Sequence, residues 1–265
     1  MNSIEKNIIE LNKLQNLQQR SQWMNRLHPL GKLLLSVIYI FIVVSFDKYA
    51  LAPLIIMSIY PIFGFITGEL SIKEGLYRMR LILPLVLFVG VFNPFFDKTP
   101  LLLYGSLNEP GSAVFISGGI VSMVTVMLKG FYSVLSVYIL IATTSIDDIC
   151  YALRVLHLPK ILVIVIMLIY RYFGIMAMEA DRITTAYQLR APHQKGIHYK
   201  AWGTLVGQWL LRSMDKADRV YESMLLRGFS GDFRIRKKKV RMVDVLYPVA
   251  WCAVLLIIRY SGLFG

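Results

Sequence analysis

From Pro110 to Ile146 the chain carries a single charged side chain, Lys129. A stretch like that has few homes, because ~20 apolar residues already cross the ~30 Å hydrocarbon core of a bilayer. Other charge-free apolar windows cover Leu33–Phe46, Tyr49–Gly68, Leu81–Phe96, Ile161–Tyr170 and Val245–Ile258. Composition agrees: 56% of the 265 residues are hydrophobic and 17% charged, against ~45–50% and ~25% in soluble domains. The 29 Lys and Arg outnumber the 16 Asp and Glu, for a formal charge of +13. So apolar a chain is neither disordered nor collagenous. A soluble nucleic-acid binder would spread such charge over a polar surface, so no nucleic-acid partner is expected. Cys150 and Cys252 are far apart and lack a partner motif, so neither a disulfide framework nor a zinc site is suggested. Residues 1–26 are polar, and no cleavable signal peptide is expected there. The expected fold is an all-α polytopic membrane protein.

Dividing Pro110–Ile146 at Lys129 would leave a one-residue turn, shorter than the usual 2–5-residue helix connection. The pattern therefore predicts one span, roughly Ser117 to Ile146, started or kinked by Gly118-Gly119. Lys129 would face the bundle or an aqueous crevice. Lys32 and Arg259 are expected to extend the first and last spans by snorkelling. The window at Ile161 is short and followed by Arg171; such a length marks a buried or interfacial helix more often than a span. Five spans remain. With the N-terminus in the cytoplasm, segments 1–32, 67–80 and 147–242 are inside and hold 25 of the 29 basic residues, as the positive-inside rule requires. The expected organisation is a tail and four spans over 1–146, a helical cytoplasmic domain over 147–242, and a last span over 243–265.

The cytoplasmic segment has helix-forming text from Ile161 to Arg190, broken at Ala191-Pro192, and from Trp202 to Arg227, broken at Gly228. Pro and Gly are the expected stop signals. The two helices repeat each other. Ala180-Asp181-Arg182-Ile183 matches Ala217-Asp218-Arg219-Val220 at an offset of 37, and the same offset carries Leu189-Arg190-Ala191 onto Leu226-Arg227-Gly228. The terminal arginine lies eight residues beyond the inner one, about 80° around the helix. A lone terminal Arg commonly caps a helix through its dipole. Two copies in one context, each followed by a small residue that permits close approach, point to a duplicated docking element. Two equivalent docking ends imply two similar partners, such as a pair of homologous motor subunits. Asp181, Arg182, Asp218 and Arg219 would support the helices that carry them. No G-x-x-x-x-G-K-[ST] phosphate loop occurs: Gly31-Lys32 is followed by Leu33. The energy source would lie outside this chain.

These residues resemble the transmembrane T component of energy-coupling-factor (ECF) transporters, most closely its cobalt-type branch. The likeness is densest from Asp148 to Asp232, through Leu158-Pro159, Tyr170-Arg171-Tyr172 and Leu211-Arg212-Ser213. Its most specific part runs from Arg219-Val220-Tyr221-Glu222-Ser223-Met224 into Arg227-Gly228-Phe229-Ser230-Gly231. A weaker match is His28-Pro29-Leu30-Gly31-Lys32-Leu33. The resemblance implies a prokaryotic cell-membrane protein that joins a substrate-binding membrane S component to two cytoplasmic ABC-type ATPases. It also implies that Arg190 and Arg227 each dock in a groove of one ATPase. The family usually has a smaller residue than Leu189 or Leu226 before each Arg.

His193 and His198 have no third ligand nearby, whereas a cobalt or nickel site would gather more nitrogen or sulfur donors; they read as solvated loop histidines. Met167, Met176 and Met178 read as packing residues. No cofactor is expected. Arg234–Arg241 reads as a topology signal and an anionic-lipid contact. A membrane-embedded enzyme is the second functional class, but no H-E-x-x-H occurs, no carboxylate falls in an expected span, and Gly231-Asp232 lies outside them. A self-sufficient carrier is the third; its repeats are usually inverted and intramembrane, whereas this repeat is cytoplasmic and same-sense. Nickel or a vitamin stays open beside cobalt.

Overall fold

The computed structural model describes residues 18, 22–71, 73, 75, 84, 88, 90–92, 100–104, 114–190, 196–233 and 240–260. Most of the expected Leu81–Phe96 span lies outside these residues, as do Ala191, Pro192, His193 and 234–239. The described elements are α1 (Trp23–Arg26), α2 (Pro29–Val44), α3 (Leu51–Ile56), α4 (Ile59–Thr67), β1 (Pro100–Tyr104) and β2 (Val114–Ser117). They continue with α5 (Gly118–Thr143), α6 (Ile146–Val155), α7 (Lys160–Arg190), α8 (Tyr199–Leu226) and α9 (Met242–Tyr260). The protein is an all-α membrane protein with one small addition: β1 and β2 pair antiparallel, Leu101 opposite Ile116, with an irregularity between Leu102 and Tyr104. By length and composition α5, α7 and α9 are each able to cross a membrane, and α2 and Leu51–Thr67 are shorter apolar helices. The chain divides into two compact units, one holding Ile146–Lys237, the other Leu17–Ser145 with Lys238–Gly265.

In the second of these units, α2 packs against both α5 and α9. Its N-terminal turn begins with Pro29, whose missing N–H costs nothing at that position. Gly31 permits the close approach to α9: a Cβ there would stand 3.1 Å from the Asp244 carbonyl oxygen and 3.1 Å from Pro248 Cγ. Pro248 has no N–H for the carbonyl four residues back, and that carbonyl is Asp244's. Asp244 is only 8% exposed. Its Oδ1 accepts the His28 N–H at 3.0 Å and its Oδ2 accepts the Arg241 N–H at 2.8 Å. One carboxylate thus joins the starts of two helices.

The expected span over Tyr49–Gly68 is two helices, broken at Met57-Ser58. Pro61 explains the break: it cannot donate to the Met57 carbonyl, and its ring crowds that oxygen. The buried Tyr39 hydroxyl donates to the same carbonyl at 3.0 Å. Residues 118–143 form one helix, beginning at Gly118, as the sequence predicts.

Lysines cap helix ends here. Lys129 Nζ donates to the carbonyls of Val44 and Phe46 at the end of α2. Arg259 reaches Ser45 O at 3.4 Å and lies over the Phe46 ring. Lys32 corrects an expectation: instead of snorkelling outward it is 4% exposed, and Nζ donates to Thr143 O at 2.8 Å. Cations at these C-termini satisfy carbonyls that lack helical donors and oppose the negative dipole end.

Candidate functional site

The other unit is built on α7 and α8. Apolar text continues across Arg171 because an exposed arginine need not end a helix, and α7 runs unbroken for 31 residues. The Ile161 window is therefore part of a helix long and apolar enough to cross a membrane, and only Val163 and Ile183 of α7 are buried. α8 has no buried residue. The pair is antiparallel. Trp209 Nε1 donates to Met176 O at 3.1 Å, and Arg212 meets Glu179 at 2.5 Å. Toward the other end of α7, the Tyr187 hydroxyl accepts the His198 N–H at 3.4 Å. Val206 and Trp209 are exposed, whereas Met176 and Leu205 are half-buried.

The repeated sequence maps onto this pair in an uneven way. Arg190 is the last residue of α7, and Arg227 is the C-cap of α8. Both arginines are exposed, and among the described residues neither forms an ion pair. The leucines before them are also exposed, Leu189 by 78% and Leu226 by 90%. The helices are antiparallel, so the two arginines sit at opposite ends of the pair. Arg171 and Arg227 line one cavity, and Arg190 lies 19 positions beyond Arg171 on the same helix; at 1.5 Å per residue the two docking arginines are roughly 30 Å apart. The inner pairs do not share a role. Arg182 meets Glu179 at 3.4 Å, while Arg219 Nε donates to its own Asp215 carbonyl at 3.1 Å. Asp181 is half-buried and Asp218 exposed.

The end of α8 is a built terminus. Gly228 has φ +79°; its N–H bonds Leu225 O at 2.9 Å, and the Phe229 N–H bonds Met224 O at 3.0 Å. This is the Schellman arrangement, which satisfies the last carbonyls through a left-handed residue. Nothing lies within 4 Å of a Cβ placed on Gly228, so only the torsion opposes a side chain. Gly228→Ala is expected to cost about 1–2 kcal/mol at this turn. Hydrogen exchange of residues 224–231 should accelerate by about 5–30-fold with the rest of the protein unchanged. Exchange equal to that of the parent protein would contradict this account of the cap.

The chain beyond the cap is anchored. Asp232 Oδ2 pairs with Arg154 at 2.7 Å and lies 3.6 Å from Lys160, and Arg154 donates to Phe233 O at 2.9 Å. Desolvation works against ionisation of Asp232, but the Arg154 guanidinium and the Lys160 ammonium outweigh it and hold its carboxyl below the usual carboxylate range. The contact is therefore intact above the ordinary carboxylate pKa and is lost as the pH falls through the lowered one. Sequence reading missed this clamp, because its partners are 78 residues apart. It also missed Glu179, whose spacing of three from Arg182 is a recognisable helical pair.

No group of three or more His, Cys, Asp or Glu placed to hold a metal occurs among the described residues. His198 is the N-cap of α8, its Nδ1 accepting the Lys200 N–H at 3.3 Å.

Residues 20–239 match the family described as CbiQ, cobalt transport protein. An uncharacterised protein of Methanocaldococcus jannaschii is 29% identical over 110 residues, covering 41% of this chain and 40% of its own length. The cobalt transport protein CbiQ of Rhodobacter capsulatus is 29% identical over 97 residues, covering 36% of this chain and 40% of that protein. The chain thus aligns with about two fifths of the length of each curated relative.

Proposed function

The chain belongs to the CbiQ family of cobalt transport proteins, and on that premise we propose that it is the non-catalytic coupling subunit of an ECF-type ABC importer. It links two cytoplasmic ATPases to a substrate-binding membrane component and serves cobalt uptake. The carrying observation is the pair of exposed arginines, Arg190 and Arg227, at opposite ends of one antiparallel helix pair. An Arg presents five donors in a fixed fork and keeps its charge, so each end suits a polar groove on a partner. The site residues on this account are Leu189-Arg190-Ala191 and Leu226-Arg227-Gly228. Glu179, through Arg182 and Arg212, and the Arg154–Asp232 clamp position the helices that carry them.

The mechanism follows from leverage. ATP binding draws the two ATPases together, the docked ends move with them, and the stiff helices pass that displacement to the substrate-binding component. On this account 1–146 forms a cytoplasmic tail and four spans and 243–265 a last span in a prokaryotic plasma membrane, with the N-terminus in the cytoplasm. The segment 147–242 lies on the cytoplasmic side, with the apolar stretch of α7 at the bilayer surface rather than across it. The pairing of α7 with α8 supports this placement, because α8 carries seven charged residues, six of them between Arg212 and Glu222, and suits an interface better than a membrane core.

Proteoliposomes test the assignment. Cobalt uptake is expected only when the chain is reconstituted with both ATPases, the substrate-binding component and ATP. Cobalt uptake by the isolated chain would assign it as a self-sufficient carrier instead.

A further inference from the structure

Two concavities between α7 and α8 run into each other. One is an apolar groove of about 300 Å³, with Met176, Ala217 and Tyr221 in its wall. The other is a cavity of about 690 Å³ edged by Arg171, Lys216, Arg219 and Arg227. They share Leu168, Tyr172, Lys216, Val220 and Met224, so the charged space opens directly onto the greasy one. Asp232 also edges the cavity, but its Oδ2 is already held by Arg154 and Lys160. Among the described residues Arg171, Lys216 and Arg219 form no ion pair. Three cations without counter-charges around one space favour an anion with several acceptor oxygens, and Arg is suited to phosphate through paired N–H bonds.

From this juxtaposition we propose that the space between α7 and α8 is a binding site for one anionic phospholipid, its phosphate among Arg171, Lys216 and Arg219 and an acyl chain along the groove. A free phosphate satisfies the cations and leaves the groove empty. A partner's carboxylate does the same. A phospholipid has both parts, and it is the solvent of a membrane protein. The site rests on the membrane character of the chain and on these residues, not on the coupling role proposed above.

Native mass spectrometry of the full chain, released from vesicles of phosphatidylcholine with a minority of phosphatidylglycerol, tests it. One phosphatidylglycerol is expected to stay bound in preference to phosphatidylcholine. Arg171→Glu and Arg219→Glu, both at exposed positions, should each lower its retention at least about fivefold, whereas Lys200→Glu, at the far end of α8, should not. Ala217→Trp, which fills the groove and leaves the cations intact, should also lower retention. Millimolar inorganic phosphate should fail to displace the lipid. Retention that ignores the Arg171 and Arg219 reversals would overturn the proposal. So would displacement by inorganic phosphate, which would assign the cavity to the free ion, or loss of a bound protein with lipid retention unchanged, which would assign it to a protein contact.

Discussion

Reversing both terminal arginines, Arg190→Glu with Arg227→Glu, is expected to abolish co-purification of the ATPase subunits while the chain still inserts and folds. Both side chains are exposed, and neither forms an ion pair among the described residues, so the fold loses little; surface changes of this kind usually stay within ~0.5 kcal/mol. An interface arginine commonly costs about 2 kcal/mol or more on truncation, which is about 30-fold in affinity. Two such losses multiply to about 10³-fold, because sites roughly 30 Å apart share no partner groups and add independently. Each single reversal should leave one docking end working, and Arg→Lys at either end should restore only part of the affinity, because Lys lacks the planar fork. Pull-down of co-expressed subunits reads all of these. Full assembly in the double variant would sink the docking role.

The second large effect is on stability. Asp244→Ala should lower the melting midpoint of the detergent-solubilised protein by about 10 °C. The carboxylate accepts the backbone N–H groups of His28 and Arg241 in a site that is 8% exposed. Hydrogen bonds to a charged group contribute about 1.5–3 kcal/mol each, so the pair contributes about 3–6 kcal/mol, and each kcal/mol shifts the midpoint by about 2–4 °C in a chain of this size. The bond to Arg241 is also half of a capping box at the start of α9. Asp244→Asn keeps one acceptor oxygen and should lose about half as much. A midpoint unmoved by Asp244→Ala would refute the account of how α2 and α9 are joined.

Much of this was legible in the sequence for local reasons. The absence of charge around Lys129 announced one long helix over 118–143, and Gly228 marked where α8 stops. What was missed was long-range or depended on a single atom. The break at Met57-Ser58 follows from Pro61 lacking an N–H, yet hydropathy runs smoothly through it. Lys32 looked like an outward-reaching lysine because its acceptor, Thr143 O, is 111 residues away. Arg171 shortened the apolar stretch of α7 on paper, although a helix tolerates an exposed charge. The strand pair of Pro100–Tyr104 with Val114–Ser117 carries no clean alternation of polar and apolar residues to announce it. The repeat located both terminal arginines, but not the different jobs of Arg182 and Arg219, which depend on Glu179 and on the Asp215 carbonyl.

In the mechanism proposed above, one chain offers two docking ends to two motor subunits. The most direct measurement is the stoichiometry of the complex purified through this chain, read by native mass spectrometry. Two ATPase subunits are expected for each copy of the chain, falling to one when either Arg190 or Arg227 is reversed. A complex with one ATPase per chain, or one that keeps two after both reversals, would contradict it.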